Sequence, residues 1–274
     1  MKVAIQGERG SYSEEAAARY YGDMEVVPCR WFSDAFEAIV AGRAECGVIP
    51  IENSQAGSIN DTYDLLLQHD LPIVGEVDLP VRHCLLTMPG VVLSDVKRVY
   101  SHPQALAQCE EYIAQIGAEK VATQDTAGSA RLLRGNGWRD AAAIASARAG
   151  VLYDLHVAAE GIQTNANNRT RFVVLEPNPA PPSVASPGAD KYKTSIVFVT
   201  PNVPSSLYQC LGVLATRGIN LVKIESRPYR PKPWDYVFYV DFDGHVADPR
   251  IREAMDELRA RAEFLKILGS YPRA

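Results

Sequence analysis

EPNPAPPSVASPGADKYK, Glu176–Lys193, is where the chain changes character. Pro177, Pro179, Pro181, Pro182 and Pro187 crowd this stretch, and each proline locks φ and removes a backbone donor. The segment reads as a stiff linker at residues 177–193, dividing residues 1–176 from residues 194–274. Downstream, an apolar run at Thr194–Val199 precedes a helix with Leu207, Leu211 and Leu214 on one face, stopped by Gly218. A strand at Asn220–Ser226 follows, then Tyr236–Phe242 with Tyr236, Phe238, Val240 and Phe242 on one side. Asp248 as N-cap and Pro249 at the first helical position open a helix that turns Ile251, Met255 and Leu258 inward, and Phe264–Leu268 closes as a strand. The order βαββαβ predicts a ferredoxin-like layer of two helices on one sheet.

Upstream of the linker, short β-like runs alternate with helical patterns: Lys2–Gln6, Ser13–Tyr21, Ser33–Ala41, Cys46–Ile51, Val96–Tyr100, Gln104–Gln115, Ala143–Ala147 and Phe172–Leu175. That alternation predicts α/β architecture with mostly parallel sheet. It leaves open whether the strands form one sheet or two lobes around a cleft.

At 274 residues, about two domains are expected. The 28 basic and 33 acidic residues give a net charge of −5, which argues against a phosphate-backbone binder, so no nucleic-acid partner is expected. No apolar run reaches the roughly 18 residues that span a bilayer, and Met1–Gly10 turns polar too early for a signal peptide, so no membrane partner and a cytoplasmic location are expected. The five cysteines are scattered without a Cys-x-x-C pair and read as reduced thiols; the five histidines show no ligand spacing, so no metal is expected.

Five polar segments sit at the ends of strands or the starts of helices. Gly7–Ser13 (GERGSYS) could aim amides and hydroxyls at an anion, or simply cap a helix. Pro50–Ser58 (PIENSQAGS) runs from a buried strand into hydrogen-bonding side chains, as ligand-binding strand ends and ordinary turns both do. Ser101–Ala105 (SHPQA) offers His102 as a base or a helix cap, and Asp125–Ser129 repeats the theme. Asn167–Phe172 (NNRTRF) gathers amides, a hydroxyl and two cations before a strand. No Gly-x-Gly-x-x-Gly or Gly-Lys-Ser/Thr is present, so no nucleotide cofactor is indicated.

Taken in order, Gly7–Ser13, Pro50–Ser58, Ser101–Cys109 (SHPQALAQC), Asp125–Ala130 and Asn168–Phe172, followed by Glu225–Pro228 (ESRP), resemble the prephenate dehydratase family along the whole chain. The resemblance implies a carbon-oxygen lyase without cofactor that turns prephenate into phenylpyruvate, CO2 and water in phenylalanine biosynthesis. It implies a catalytic domain of two α/β lobes, like a periplasmic binding protein, with the site in the cleft, followed by a ferredoxin-like ACT regulatory domain. Thr170 is then the catalytic residue, and Ser11, Glu52, Asn53, Ser54, Ser101, His102, Gln104, Asn168, Arg171 and Phe172 the substrate-binding set. L-Phenylalanine as allosteric effector is implied at Pro204, Ser206, Leu207, Glu225, Ser226, Arg227 and Pro228, between ACT domains paired in a homodimer or a dimer of dimers. The chain departs from the family at Thr164 and Ala166, often Asp and Pro, and at Ser205, where the family has Gly, which bears on the strength of feedback inhibition. No chorismate mutase segment precedes Lys2, so a monofunctional enzyme is expected. Arogenate dehydratase, a decarboxylase that keeps the ring hydroxyl, and a non-catalytic cytoplasmic amino-acid sensor are the rival readings; Thr170 speaks against the decarboxylase.

Overall fold

The computed structural model describes residues 1–177 and 191–274, so residues 178–190 of the expected linker lie outside the described residues. The first half runs β1 (Lys2–Gln6), α1 (Tyr12–Tyr21), β2 (Glu25–Cys29), α2 (Phe32–Val40), β3 (Cys46–Asn53), the two-residue β4 (Gly57–Ser58), α3 (Asn60–Gln68) and β5 (Ile73–Pro80). Next come β6 (Cys84–Thr87), β7 (Arg98–Ser101), α4 (Pro103–Gln108), α5 (Glu110–Gln115), β8 (Glu119–Ala122), α6 (Thr126–Asn136), β9 (Ala141–Ala145), α7 (Ala147–Leu152), β10 (His156–Glu160) and β11 (Arg169–Leu175). The last part runs β12 (Tyr192–Val199), α8 (Ser206–Ala215), β13 (Leu221–Pro228), β14 (Tyr236–Asp243), α9 (Pro249–Arg261) and β15 (Phe264–Pro272).

Two compact units result, one of Met1–Thr62 with Val77–Phe172, the other of Tyr63–Glu76 with Val173–Ala274. In the first, the strand order β2-β1-β3-β11-β5 makes one sheet, with β4 added to β3, and β10-β6-β9-β7-β8 makes another. The chain crosses between the sheets twice, after β5 and before β11, which is the connectivity of two lobes. The second sheet is mixed rather than mostly parallel, since β7 pairs in parallel with β8 and β9 while β6 runs antiparallel to both β9 and β10; in the first, β1 pairs in parallel with β2 and β3, and short β4 runs antiparallel to β3. Strand β6 follows a chain crossing and not a helical return, so nothing compels it to run parallel. The helix expected over Gln104–Gln115 is two, meeting at Cys109, which has φ −110° and ψ 18° and is fully buried among Leu85, Val99 and Ile113.

The second unit bears out the βαββαβ expectation, with antiparallel order β13-β14-β12-β15. Ile196 and Phe198 from β12, and Val240 and Phe242 from β14, pack on Val213 and Leu214 of α8 and Ile251, Met255 and Leu258 of α9. Each such side chain contributes about 1.5–3 kcal/mol by burial. Residues 63–76 join this unit through polar contacts: Tyr239 Oη donates to Tyr63 O at 2.9 Å, Lys193 Nζ lies 2.7 Å from both Glu76 oxygens, and Arg227 Nη2 lies 3.0 Å from Asp64 Oδ2. Among the described residues, no helix is long and apolar enough to cross a membrane.

Candidate active site

The loop after β1 turns on Gly7 and Gly10, at φ +101° and +84°, where a side chain would be strained. A Cβ on Gly10 would also come within 3.0 Å of Ala149 Cα, so the loop packs its backbone directly on α7. Ser146 Oγ donates to Gly10 O at 2.6 Å and Tyr153 Oη to Arg9 O at 2.9 Å. Glu14 accepts from the Gly10 amide and from Arg148 Nη2. Burial works against ionising Glu14, but the Arg148 and Gly10 hydrogen bonds prevail and hold its carboxyl below the usual value. Ser11 caps α1, accepting from Glu14 N at 3.3 Å. The loop is thus pinned by one lobe to the other.

Asn53 ends β3 and closes an Asx turn: its Oδ1 accepts from Gln55 N at 2.9 Å and Ala56 N at 3.0 Å. Backbone N–H groups only donate, so these two bonds force the Asn53 amide nitrogen to the other side. There Nδ2 donates to Asn168 Oδ1 at 2.9 Å and Thr170 Oγ1 at 3.0 Å, with Arg169 O also within 3.1 Å. Because the Thr170 oxygen accepts from Asn53, its own proton is directed elsewhere.

Strand alternation sorts the neighbours. Thr170 and Phe172 share one face of β11 and both line a cavity of about 350 Å³, within the range of small-molecule sites. Arg169 and Arg171 take the opposite face; Arg171 Nη2 lies 3.3 Å from Glu52 Oε2, and Arg169 Nε 2.9 Å from Asp78. Of the sequence-derived set, the cavity brings together Ser11, Asn53, His102, Gln104, Thr170 and Phe172. Asn168 stands one hydrogen bond behind it. Glu52 and Arg171 pair away from the lining, Ser54 Oγ donates to Asn167 O at 3.0 Å, and Ser101 is fully buried with Oγ donating to Ile144 O at 2.7 Å.

His102 caps α4, its Nδ1 accepting from Gln104 N at 3.2 Å, and burial lowers its pKa although Asp125 pulls the other way. Asp125 caps α6, accepting from Gly128 N at 2.6 Å; burial is the largest influence and raises its pKa. Among the described residues lining the cavity, none is Lys or Arg. Amides, hydroxyls, imidazoles and the Asp125 carboxyl therefore supply its polarity.

Tyr12, His83 and Gln108 also line the cavity; none was a predicted site residue, although Tyr12 and Gln108 lie within Gly7–Ser13 and Ser101–Cys109. His83 Nε2 is 2.8 Å from Gln108 Oε1, which also accepts from Asn168 Nδ2 at 3.0 Å. Tyr12 Oη lies 3.2 Å from His83 Nδ1 and donates to Arg82 O at 2.7 Å. Burial lowers the His83 pKa and raises that of Tyr12, so both are neutral near pH 7. Gln108 carried a usable signal, since it follows Gln104 by four residues and so shares its helix face. His83 carried none, because it stands between strands with no turn residue to mark it.

In the second unit, a cavity of about 330 Å³ is lined by Ser205, Ser206 and Leu207 at the start of α8, with Trp234 and Phe238 opposite. Ser205 holds the left-handed conformation, φ +73°. Pro204 is exposed beside it. Glu225, Ser226, Arg227 and Pro228 lie on β13, an edge strand, and do not line this cavity.

Residues 3–180 match the family described as Prephenate dehydratase. The chain is 47% identical over 282 residues to arogenate dehydratase/prephenate dehydratase 2, chloroplastic, of Arabidopsis thaliana, covering 99% of this chain and 73% of that protein. The structure superposes on prephenate dehydratase of Arthrobacter aurescens in complex with L-Phe at a TM-score of 0.90 and 33% identity, covering 100% of this chain and 90% of that one. It superposes on GqqA, described as a novel type of quorum quenching acylase, at 0.91 and 36% identity, covering 100% and 98%.

Proposed function

As this chain belongs to the prephenate dehydratase family, we propose that it converts prephenate to phenylpyruvate in the cavity around Thr170. One proton joins the prephenate dianion, and CO2, water and the phenylpyruvate anion leave. The observation that carries the reading is the direction of the Asn53–Thr170 bond. With its oxygen accepting from Asn53, the Thr170 hydroxyl keeps its proton for the departing C4 oxygen, and the Asn53 donor stabilises the charge left behind. The ring carboxylate leaves as neutral CO2, so an ion pair to it would stabilise the ground state and slow the step. Phe172, Phe32 and Pro50 supply an uncharged wall for it. The pyruvyl carboxylate stays and is met by Ser11, Gln104 and His102, with Glu52, Ser54, Ser101, Asn168 and Arg171 supporting the strand ends that position them. Acyl hydrolysis is the weaker reading, since the Ser101 and Ser146 hydroxyls are committed to Ile144 O and Gly10 O.

Residues 1–176 form the catalytic domain, 177–193 the linker and 194–274 the ACT domain in this proposal. Phenylalanine sits at Pro204, Ser206 and Leu207, and Glu225–Pro228 of a paired copy complete the site in a homodimer or dimer of dimers. All five cysteines are free and buried, which suits the reducing cytoplasm. Arogenate carries an ammonium in place of the keto group. It is the second reading, favoured by the name of the Arabidopsis relative and by Asp125 in the lining.

The test is turnover by purified wild type and Thr170→Val on both substrates, with and without phenylalanine. Wild-type activity on prephenate, suppressed by phenylalanine and reduced about 10²–10⁴-fold in Thr170→Val, is expected. A higher kcat/KM on arogenate selects the second reading, and no turnover on either overturns both.

A further inference from the structure

We propose that His83 is a positioning residue that holds the donor end of the Gln108 amide toward the substrate; the proposal rests on the dehydratase reading above. The argument starts from two backbone amides. Gln55 N and Ala56 N fix Asn53 Oδ1, so Asn53 Nδ2 faces Asn168 and that contact must be Asn168 Oδ1. Asn168 Nδ2 then faces Gln108, and the atom 3.0 Å away must be an acceptor, Gln108 Oε1. The same oxygen lies 2.8 Å from His83 Nε2, which therefore carries a proton. Neutral His83 is thus the Nε2–H tautomer; its Nδ1 lies 3.2 Å from Tyr12 Oη, whose proton goes to Arg82 O at 2.7 Å, so the Gln108 side alone fixes the tautomer.

Two donors converge on one oxygen of Gln108, leaving Nε2 as the opposite end of the amide; Gln108 lines the Thr170 cavity and a second one beside Gln55 and Asn165, and the proposal assigns Nε2 to the first. Asn168 alone would give the amide a single pivot about which it could swing or turn its carbonyl inward. A carbonyl there would repel a substrate bearing two carboxylates. The imidazole is well placed as a lock, because Gln163 Oε1 accepts from His83 N at 2.9 Å and the Tyr12 ring meets it edge-on at 5.8 Å.

The experiment compares His83→Phe, which loses the donor, with His83→Gln, whose amide nitrogen can replace Nε2–H. Both are also made on a Gln108→Leu background, with folding followed by circular dichroism. The expected result is a roughly 30-fold fall in kcat for His83→Phe, most of it restored in His83→Gln, and less than about a threefold effect of His83→Phe once Gln108 is Leu. Imidazole ¹⁵N shifts of the wild type should report Nε2 protonated. Wild-type kcat in His83→Phe, a His83→Gln as impaired as His83→Phe, an undiminished loss without Gln108, or an Nδ1–H tautomer would each overturn the proposal. Failure of the dehydratase reading shows separately, as absent wild-type turnover, and the ¹⁵N shifts still judge the tautomer lock. If His83→Phe does not fold, His83→Gln and the ¹⁵N shifts decide.

Discussion

Around the cavity of the first unit, five side chains from His83 through Gln108, Asn168 and Asn53 to Thr170 are joined by hydrogen bonds, and none carries a charge. In the second unit, two ion pairs tie residues 63–76 to the sheet: Lys193 with Glu76, whose side chains are 9% and 3% exposed, and the partly buried Arg227 with Asp64. The difference follows from what each must do. An ion pair holds two segments together with little regard to which oxygen meets which nitrogen. A chain of amides transmits direction, because each has a donor end and an acceptor end, and a site that expels CO2 needs direction without strong charge. Buried ions tolerate no missing partner, whereas the amide chain tolerates no reversed one.

Asn53→Asp tests that contrast most severely. The carboxylate still accepts from Gln55 N and Ala56 N but cannot donate to Thr170 or Asn168. A loss of about 10³-fold in kcat/KM with a melting temperature near wild type is expected. Retained turnover would show that direction in this chain is dispensable. Lys193→Met comes next, removing the cation from buried Glu76, which also accepts from Ala274 N. Urea unfolding of the full chain should show a loss of about 3–5 kcal/mol. Much of it should return in the double variant with Glu76→Leu; a second variant no better than the first would make the pair something other than an ionic tie. The smallest effect is at Ser205. Left-handed backbone costs a non-glycine roughly 1–2 kcal/mol and glycine's extra freedom when unfolded offsets about half. Ser205→Gly is therefore expected to stabilise by about 0.5 kcal/mol and to lower the phenylalanine concentration needed for half-inhibition. An unchanged half-inhibitory concentration would place the effector away from the start of α8.

Much of the second unit was legible because its strands are eight or nine residues long and antiparallel: the face shared by Phe238, Val240 and Phe242 needs only period-two alternation to be seen. In the first unit, β2, β5, β6, β8 and β10 went unread, and α4 and α5 merged, since no Gly or Pro marks the break at Cys109. At the site, Asn53, His102, Thr170 and Phe172 announced themselves as polar or aromatic residues at strand ends. Glu52 and Arg171 did so equally, and only the pleat of β3 and β11 turned them to the other face.

By itself, the order of residues determined the family, the βαββαβ unit and the polar strand ends from which a site could be built. These are properties of local spacing, which survive in a linear string. Tertiary structure alone decided that His83 and Gln108, 25 positions apart, meet at 2.8 Å, and that the amides between them and Thr170 point one way. Hydrogen-bond direction is set by which donor lies opposite which acceptor, and in this chain those partners come from separate elements.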